Sequence, residues 1–356
     1  MTDKTSPVRV LVVDDSALMR QLISDMLSED PEIEVVGTAP DPYVARDRIK
    51  ALNPDVLTLD IEMPHMDGVT FLRKIMALRP MPVVMISTLT QVGAETTLEA
   101  LEIGAVDFIA KPVNDASFAL GEMAAELQAK VKAAARTRVR AHRADPPRRR
   151  PPLPPLNRST GKVVLIGAST GGVEALKELL LRLPVDCPPV LVTQHMPARF
   201  TPAFAQRLDN ECPMMVSEAT HNQRIEAGHV YIAPGAFHLE LARVGSHFEC
   251  SLNDGPTVSG HRPSADVLFR SAARVAGSMA IGVILTGMGK DGADGLLELR
   301  QIGAMTLGQD EASSLIYGMP RVAFERGAIM RQRPLSEMAD AIIDACGAGS
   351  KSLMAG

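Results

Sequence analysis

One glycine-rich turn carries a serine in a position suited to nucleophilic chemistry. The stretch VVLIGASTGG, residues 163–172, is an apolar run that ends in the pattern G-x-S-x-G around Ser169. Small residues let such a strand-to-helix turn expose the hydroxyl, although the pattern alone also fits a simple tight turn. The turn lacks the third-position glycine of a dinucleotide-binding loop and the lysine of a P-loop. The next strand ends in Gln194 and His195 rather than in a ribose-binding acid, which favours a nucleophile over a phosphate cradle.

Two other strand ends supply a base and an acid for this serine. His195 closes the following strand, and Asp291 lies in a glycine-rich loop after a later one. Carboxyl ends of parallel strands share one sheet edge, so hydroxyl, imidazole and carboxylate can form a nucleophilic triad there. The tetrahedral oxyanion needs backbone N–H donors, which we expect from Met288 and from the helix start at Thr170. The chain order Ser, His, Asp differs from that of α/β-hydrolases.

Two further histidines, His261 and His238, have roles that the motifs of the sequence do not fix. The stretch HRPSAD, which contains His261, Arg262 and Ser264, precedes an apolar helical pattern. These residues either position a substrate or cap the helix. We interpret His238 as structural.

A second polar group lies near the beginning of the sequence. Asp14 and Asp15 follow one apolar strand, and Asp60 ends another. These carboxylates repel one another unless a cation lies among them, and Mg²⁺ suits a few carboxylates and several waters. Ser87 and Lys111 end two later strands at the same edge. Together these side chains suit a phosphoryl group that is carried on one aspartate.

The elements that position these groups fall into two α/β domains. Five strand patterns alternate with helical patterns over residues 1–132, which predicts a parallel sheet covered on both faces. The alternation resumes over residues 161–350, which predicts a doubly wound, mostly parallel α/β domain. Three strand-like runs in its middle, HVYIAP, FHLELARV and HFECSL, are expected to be antiparallel hairpin. Residues 351–356 are a tail without a motif.

The two domains are joined by an Arg- and Pro-rich segment. We expect residues 133–160 to be a linker, semi-rigid where the sequence reads PPLPPL. We interpret this segment as a solvated tether, because the basic run is short and the rest of the chain is acidic; contact of its basic charge with anionic lipid or nucleic acid is the alternative.

Composition narrows the class of protein. The 356 residues suffice for two or three domains, and the net charge of -5 predicts no general affinity for nucleic acid. The four cysteines are too far apart to indicate a disulfide framework or a zinc site. We find no signal peptide and no apolar run of membrane-spanning length, so we expect a cytoplasmic protein without membrane insertion.

The first domain has the motifs of a known signalling module. LVVDDS, LDIEMPHMDG, the serine after PVVMI and the Lys-Pro pair in AKP together resemble the response-regulator receiver domain. The resemblance implies a flavodoxin-like (βα)₅ fold that is phosphorylated on Asp60. It implies Mg²⁺ ligation by Asp15, Asp60 and the backbone carbonyl of Glu62, with Asp14 assisting through water. It also implies that Ser87 and Lys111 sense the phosphoryl group and that Phe108 is the switching aromatic.

The second domain resembles an enzyme. GASTGG, TQHMP, YIAPG, HRPSADVLF and LTGMGKDGADG resemble the catalytic domain of the chemotaxis protein-glutamate methylesterase family, which also has this domain order. The resemblance implies that Ser169 attacks glutamate methyl esters of chemoreceptors, releasing methanol, and deamidates receptor glutamines. It implies no cofactor in this domain, a chemotaxis histidine kinase as phosphodonor, recruitment to receptor arrays, and inhibition by the receiver until Asp60 is phosphorylated.

Other functions remain open at this point. The triad fits another acyl substrate, such as a different protein ester or amide. A receiver fused to a noncatalytic partner-binding module is a second alternative, which the coincidence of three triad members at strand ends disfavours. A DNA-binding output is weaker still, because no basic recognition helix follows the linker.

Overall fold

The computed structural model describes residues 6–88, 90–111, 117–137, 151–157 and 160–347. The chain divides into two units, Met1–Pro146 and Pro147–Gly356, and the division falls inside the segment predicted to be a linker. The arginine-rich centre of that segment, Pro112 and the predicted tail lie outside the described residues. No helix among the described residues is long and apolar enough to cross a membrane.

The first unit alternates five strands with five helices, as predicted. Its elements are β1 (Val8–Val13), α1 (Ala17–Ser28), β2 (Ile33–Ala39), α2 (Pro42–Leu52), β3 (Val56–Asp60), α3 (Gly68–Leu78), β4 (Val83–Ser87), α4 (Gln91–Ile103), β5 (Asp107–Ala110) and α5 (Ser117–Ala135). The strands form one parallel sheet in the order β2-β1-β3-β4-β5. The order reverses between β1 and β3, so a crevice opens there at the carboxyl ends of the strands.

Local sequence explains where these helices begin. Ser16, Asp41, Asp67 and Thr90 precede four of the helices, and each side chain accepts a hydrogen bond from a backbone N–H of the first turn. Such caps satisfy donors that have no partner inside the helix. The central strands β3 and β4 are buried along their whole length, because helices cover both faces of the sheet.

The second unit contains a larger, seven-stranded sheet and a separate two-stranded hairpin. Its strands are β6 (Val163–Ala168), β7 (Val190–Gln194), β8 (Met215–Glu218), β9 (His229–Ile232), β10 (His238–Val244), β11 (His247–Asn253), β12 (Ala280–Ile284), β13 (Met305–Gln309) and β14 (Arg331–Arg333). Its helices are α6 (Gly172–Leu180), α7 (Thr201–Glu211), α8 (Ala265–Val275), α9 (Ala293–Gln301), α10 (Met319–Glu325) and α11 (Leu335–Gly347).

Seven of these strands form one sheet in which every pairing is parallel. Their order is β14-β13-β12-β6-β7-β9-β8. The chain leaves β6 towards β7 on one side and later returns to β12 on the other side. This reversal creates a crevice beside β6 at the carboxyl edge of the sheet, where α/β proteins bind ligands.

The structure corrects one strand assignment. β10 and β11 form the predicted antiparallel hairpin, in a two-stranded sheet of its own. The run HVYIAP, also expected in that hairpin, instead contributes β9, which pairs in parallel with β7 and β8. Its residues Val230 to Ile232 are buried, as is typical of a strand covered on both faces. β8 and β14 were not predicted, and both are short strands at the edges of the sheet.

The structure describes two parts of the predicted linker. Helix α5 continues to Ala135, and residues Pro151–Asn157, which we call the linker strap, are bound to the second unit. Arg182 contacts the first half of the linker strap. Its Nη1 donates to the Pro151 carbonyl at 2.7 Å, and its own carbonyl accepts the Leu153 N–H at 2.9 Å.

Asp186 contacts the second half of the linker strap. Its carboxylate accepts hydrogen bonds from the backbone N–H groups of Leu156 at 2.8 Å and Asn157 at 2.7 Å. An extended proline-rich chain has no repeating internal hydrogen bonds, so the contacts with Arg182 and Asp186 fix its position. This part of the linker is therefore a bound segment rather than the solvated tether that composition favoured.

We predict that Asp186→Ala releases the linker strap. Hydrogen bonds to a charged group contribute about 1.5–3 kcal/mol, so amide exchange at Leu156 and Asn157 should accelerate about 10-fold or more. Hydrogen-exchange mass spectrometry of the strap peptide measures this rate. Asp344→Ala, an exposed aspartate on α11, is the matched control and should leave the rate unchanged. Equal exchange in wild type and Asp186→Ala would contradict the assignment.

Candidate functional site

The nucleophile turn is fixed through its backbone. Ser169 follows β6, its N–H donates to the Thr286 carbonyl at 3.1 Å, and its carbonyl accepts the Gly172 N–H at 2.7 Å. The loop after β12 lies directly against this turn, since a Cβ at Gly287 would come within 2.8 Å of Ser169 Cβ. Glycine at that position is therefore needed for the close approach, and the Ser169 side chain remains partly exposed.

The predicted base lies beside the nucleophile. Ala168 pairs with Gln194 across β6 and β7, and the His195 N–H donates to the Ala168 carbonyl at 3.1 Å. The imidazole is 7% exposed, and its Nε2 lies 2.8 Å from Asp291 Oδ2. Its Nδ1 is buried and has no hydrogen-bond partner among the described residues. The described residues therefore show no hydrogen bond between Ser169 Oγ and this nitrogen, and His195 as the base for Ser169 stays a prediction.

The predicted acid is held by the beginning of helix α8. Asp291 is buried, and its carboxylate accepts hydrogen bonds from Ser264 Oγ at 2.7 Å, the Ala265 N–H at 2.7 Å and the Asp266 N–H at 3.3 Å. Burial alone would raise the pKa of Asp291, but the hydrogen bond and charge of His195, together with those from Ser264 and Ala265, lower it below its ordinary value. The carboxylate is therefore ionised at neutral pH and orients the imidazole.

The HRPSAD stretch serves this arrangement in two ways. Ser264 is the N-cap of α8 as well as a donor to Asp291. His261 stacks on His195, with ring centroids 3.7 Å apart and planes inclined by 14°. The Arg262 guanidinium donates to two backbone carbonyls of the preceding loop, which is a structural contact. His238 is buried against the Pro256 carbonyl, as expected of a structural residue.

Two residues were predicted as oxyanion donors. The Ser169 N–H is already taken by Thr286, so the donors must come from neighbouring peptides. The Thr170 carbonyl accepts a hydrogen bond from Thr286 Oγ1 at 3.0 Å, which fixes the turn beyond the nucleophile. Met288 directly follows the glycine that contacts Ser169. Thr170 and Met288 stay predictions as oxyanion donors.

Sequence reasoning missed two buried glutamines that hold the site loops. Gln194 Nε2 donates to the Ser169 carbonyl at 3.0 Å. Gln309 Oε1 accepts the Thr286 N–H at 2.8 Å, and its Nε2 donates to the Ser313 carbonyl at 2.8 Å. Each is the last residue of a largely buried strand. That position was the available signal, because an amide buried at a strand end needs partners from adjacent loops.

In the first unit the three predicted acids converge. Ligand oxygens of Asp14, Asp15 and Asp60 lie within 4.8 Å of one another. Lys111 Nζ lies 3.2 Å from Asp14 Oδ2 and 2.8 Å from Asp60 Oδ1. Burial raises the pKa of Asp60 to about 6; the Lys111 ammonium opposes this rise, and the Asp14 charge adds to it. These hard oxygens at the open edge of the crevice fit Mg²⁺.

The remaining receiver residues occupy the predicted strand ends. Ser87 Oγ lies 2.6 Å from Thr97 Oγ1, so in this arrangement its hydroxyl faces helix α4. Glu62 donates its backbone N–H to the Asp60 carboxylate, and its carbonyl as a metal ligand stays a prediction. Phe108 is buried with Lys130 Nζ 5.3 Å from its ring centroid, and Lys130 also donates to the Phe108 carbonyl at 2.7 Å.

Comparison with known proteins matches each of the two units to a different protein family. Residues 164–342 match the family model described as CheB methylesterase, and residues 10–119 match the response regulator receiver domain model. A protein-glutamate methylesterase/protein-glutamine glutaminase 1 from Caulobacter vibrioides is 58% identical over 338 residues, covering 95% of this chain and 97% of that protein. The protein of the same description from Geobacter metallireducens is 54% identical over 352 residues, covering 94% of both.

A solved structure matches the second unit. The crystal structure of the Thermotoga maritima CheB methylesterase catalytic domain is 36% identical, with a TM-score of 0.51. The match covers 52% of this chain and 98% of that domain.

We predict that Asp291→Asn leaves the fold intact but slows reaction at Ser169. The NH₂ group of the asparagine would face either the backbone N–H groups of α8 or the N–H of the imidazole, and two donors cannot hydrogen-bond each other. His195 would therefore be misoriented. Equivalent substitutions in serine triads lower kcat by about 10⁴, so labelling of Ser169 by a serine-directed phosphonate should slow about 10³- to 10⁴-fold. Mass spectrometry of the labelled peptide measures the rate. Asp294→Asn, on the nearby helix α9, should label like wild type; equal rates for both variants would refute the triad.

Proposed function

The chain belongs to the CheB methylesterase family, with an N-terminal receiver domain, and from this premise we propose that it demethylates and deamidates chemoreceptors under the control of phosphorylation. Members with this description are hydrolases of protein glutamate esters and glutamine amides. The observation that carries the proposal is the His195–Asp291 pair at the carboxyl edge of the sheet, beside the turn that contains the partly exposed Ser169.

Acylation begins at the serine. Ser169 Oγ attacks the carbonyl carbon of a glutamate γ-methyl ester while His195 Nδ1 takes its proton. Asp291 stabilises the resulting imidazolium through Nε2. Backbone N–H groups of Thr170 and Met288 stabilise the oxyanion, and one such donor contributes about 3–4 kcal/mol. The tetrahedral intermediate collapses as the imidazolium protonates the leaving methoxide, which departs as methanol.

Deacylation repeats these steps with water. His195 accepts a proton from the attacking water, the acyl-serine bond breaks, and the proton returns to Ser169 Oγ. The product is a free glutamate side chain. A glutamine side chain follows the same course with ammonia as the leaving group, so one triad accounts for both activities.

The receiver domain is the site of phosphorylation in this proposal. Asp60 accepts a phosphoryl group, for which a chemotaxis histidine kinase is the expected donor, and Lys111 already lies at its carboxylate. Asp14, Asp15, Asp60 and the Glu62 carbonyl would hold Mg²⁺, which when bound neutralises charge on the transferring phosphoryl group. Ser87 and Phe108 are the expected switching residues. Because the proposed substrates are receptor side chains, we expect the protein at receptor arrays in the cytoplasm.

Regulation follows from joining the two units in one chain. We propose that the unphosphorylated receiver restrains the esterase and that phosphorylation relieves this restraint. A phosphoryl group adds nearly two negative charges to a site already rich in carboxylates. A complete shift between restrained and active states needs a differential of about 5.5 kcal/mol, so partial activation is the expected response.

The esterase assignment predicts that methanol release depends on Ser169. Wild-type protein should release methanol from methylated chemoreceptor, and Ser169→Ala should lower the rate at least about 10³-fold, because the acyl intermediate cannot form. Gas chromatography of released methanol measures this. Release by Ser169→Ala at the wild-type rate would refute the nucleophile; phosphonate labelling of Ser169 without any methanol release would indicate another acyl substrate.

The regulatory assignment predicts that stimulation depends on Asp60. A small phosphodonor with Mg²⁺ should raise the wild-type rate of methanol release, while Asp60→Asn should show no rise. Asp67→Asn, an N-cap on α3 in the same unit, is the control and should still respond. Stimulation of Asp60→Asn equal to that of wild type would contradict phosphorylation at this residue.

A further inference from the structure

We propose that Gln194 is a positioning residue for the nucleophile, whose side-chain amide fixes the Ser169 carbonyl and thereby the direction of the Thr170 N–H. This inference rests on the proposed function, because it assigns Gln194 a part in the reaction at Ser169. Among the described residues, Gln194 hydrogen-bonds the carbonyls of Ser169 and His195 and not their side chains, so its effect is exerted through the backbone.

The contacts of Gln194 join the two reacting residues. It is the last residue of β7, and its side chain is buried. Its Nε2 donates to the Ser169 carbonyl at 3.0 Å and to the His195 carbonyl at 3.2 Å. One amide nitrogen thus holds the peptide after the nucleophile and the peptide after the base at a common point.

The orientation of this amide is dictated by its partners. Both partners are carbonyl oxygens, so only the NH₂ end can face them. The other end, Oε1, is buried and has no hydrogen-bond partner among the described residues. It packs on Gly172, where an added Cβ would overlap it. The first residue of helix α6 is therefore a glycine that leaves space for the Gln194 side chain.

Gln194 combines an unpaired buried oxygen with two hydrogen bonds from its other end, so packing alone does not account for this side chain. Burying a polar group without a partner destabilises the folded state, and such groups in native proteins call for an explanation. A methionine would fill a similar volume without an unpaired oxygen. The free-energy cost of burying Oε1 must then be offset by the hydrogen bonds of Nε2, which fix the Ser169 and His195 carbonyls.

The fixed carbonyl determines the direction of a neighbouring donor. The Ser169 carbonyl and the Thr170 N–H belong to one planar trans peptide, so they point in opposite directions. With the carbonyl held by Gln194 Nε2 and by the Gly172 N–H, the plane of that peptide cannot rotate freely. In strand–turn–helix nucleophile turns, the N–H after the nucleophile is an oxyanion donor. Loss of the Gln194 contact should therefore weaken oxyanion stabilisation rather than substrate binding.

The test compares Gln194→Met with Thr193→Val in the full-length protein. Thr193 precedes Gln194 on β7, is buried, and its Oγ1 has no hydrogen-bond partner among the described residues, so the valine variant controls for perturbation of this strand. Gln194→Met should lower kcat for methanol release about 10- to 100-fold, a smaller loss than removal of a direct oxyanion donor, and leave KM within about twofold. Thr193→Val should retain wild-type kcat within about twofold. The rate of phosphonate labelling of Ser169 should fall in parallel with kcat.

A second variant keeps the test decisive if Gln194→Met fails to fold. Gln194→Glu has the same shape but places a carboxylate against the two carbonyls, so its kcat and labelling rate should fall at least as far. Circular dichroism identifies the folded variants. Wild-type kcat in a folded Gln194→Met or Gln194→Glu protein, or a loss that appears only in KM, would overturn the proposal.

The same experiment separates this inference from the proposed function. If wild type labels with phosphonate but releases no methanol from methylated receptor, the substrate assignment fails, and the labelling rates of the variants still decide the role of Gln194. If wild type is active in both assays and the glutamine variants equal it, the inference fails while the function stands.

Discussion

The catalytic unit depends on one buried charge. Asp291 is almost fully removed from solvent, and a carboxylate in that setting is stable only when donors surround it. Helix α8 provides these donors with its N-cap serine and its first backbone N–H groups, where the helix dipole also favours an anion. His195 provides the last donor. The carboxylate therefore connects the loop after β12, the start of α8 and the end of β7, which are the elements that must keep a fixed relation for the serine to react.

The two units use the same geometric principle for different chemistry. In each, a parallel sheet brings the carboxyl ends of its strands to one edge, and polar residues gather where the strand order reverses. The first unit places carboxylates and a lysine there, which suits an anionic phosphoryl group and a hard cation. The second places a serine turn beside an imidazole whose remaining nitrogen has no hydrogen-bond partner among the described residues. Residue type at the strand ends, rather than fold class, separates signal reception from hydrolysis.

Buried polar residues at strand ends have a structural role in both units. Ser87, Gln194 and Gln309 are each the last residue of a largely buried strand, and each side chain hydrogen-bonds a loop or a helix at the carboxyl edge. Because the desolvation of an amide or hydroxyl must be offset by such bonds, these residues restrict the loops to a small set of conformations. The reacting groups are thus held by strand residues that are themselves locked in the core, a more rigid support than the loops could provide alone.

The sequence by itself determined the α/β organisation and the acidic cluster, and it predicted the triad Ser169–His195–Asp291, because strand periodicity and the residue types at strand ends are local signals. It did not determine the direction of β9, because a short apolar strand has the same residue pattern whether it pairs in parallel or antiparallel. Nor did it reveal the bound linker strap, the stacking of His261 on His195 or the contacts of Gln194 and Gln309. Only the tertiary structure decided these features, since each joins residues far apart in the chain whose hydrogen bonds and ring contacts exist only after the sheet has assembled.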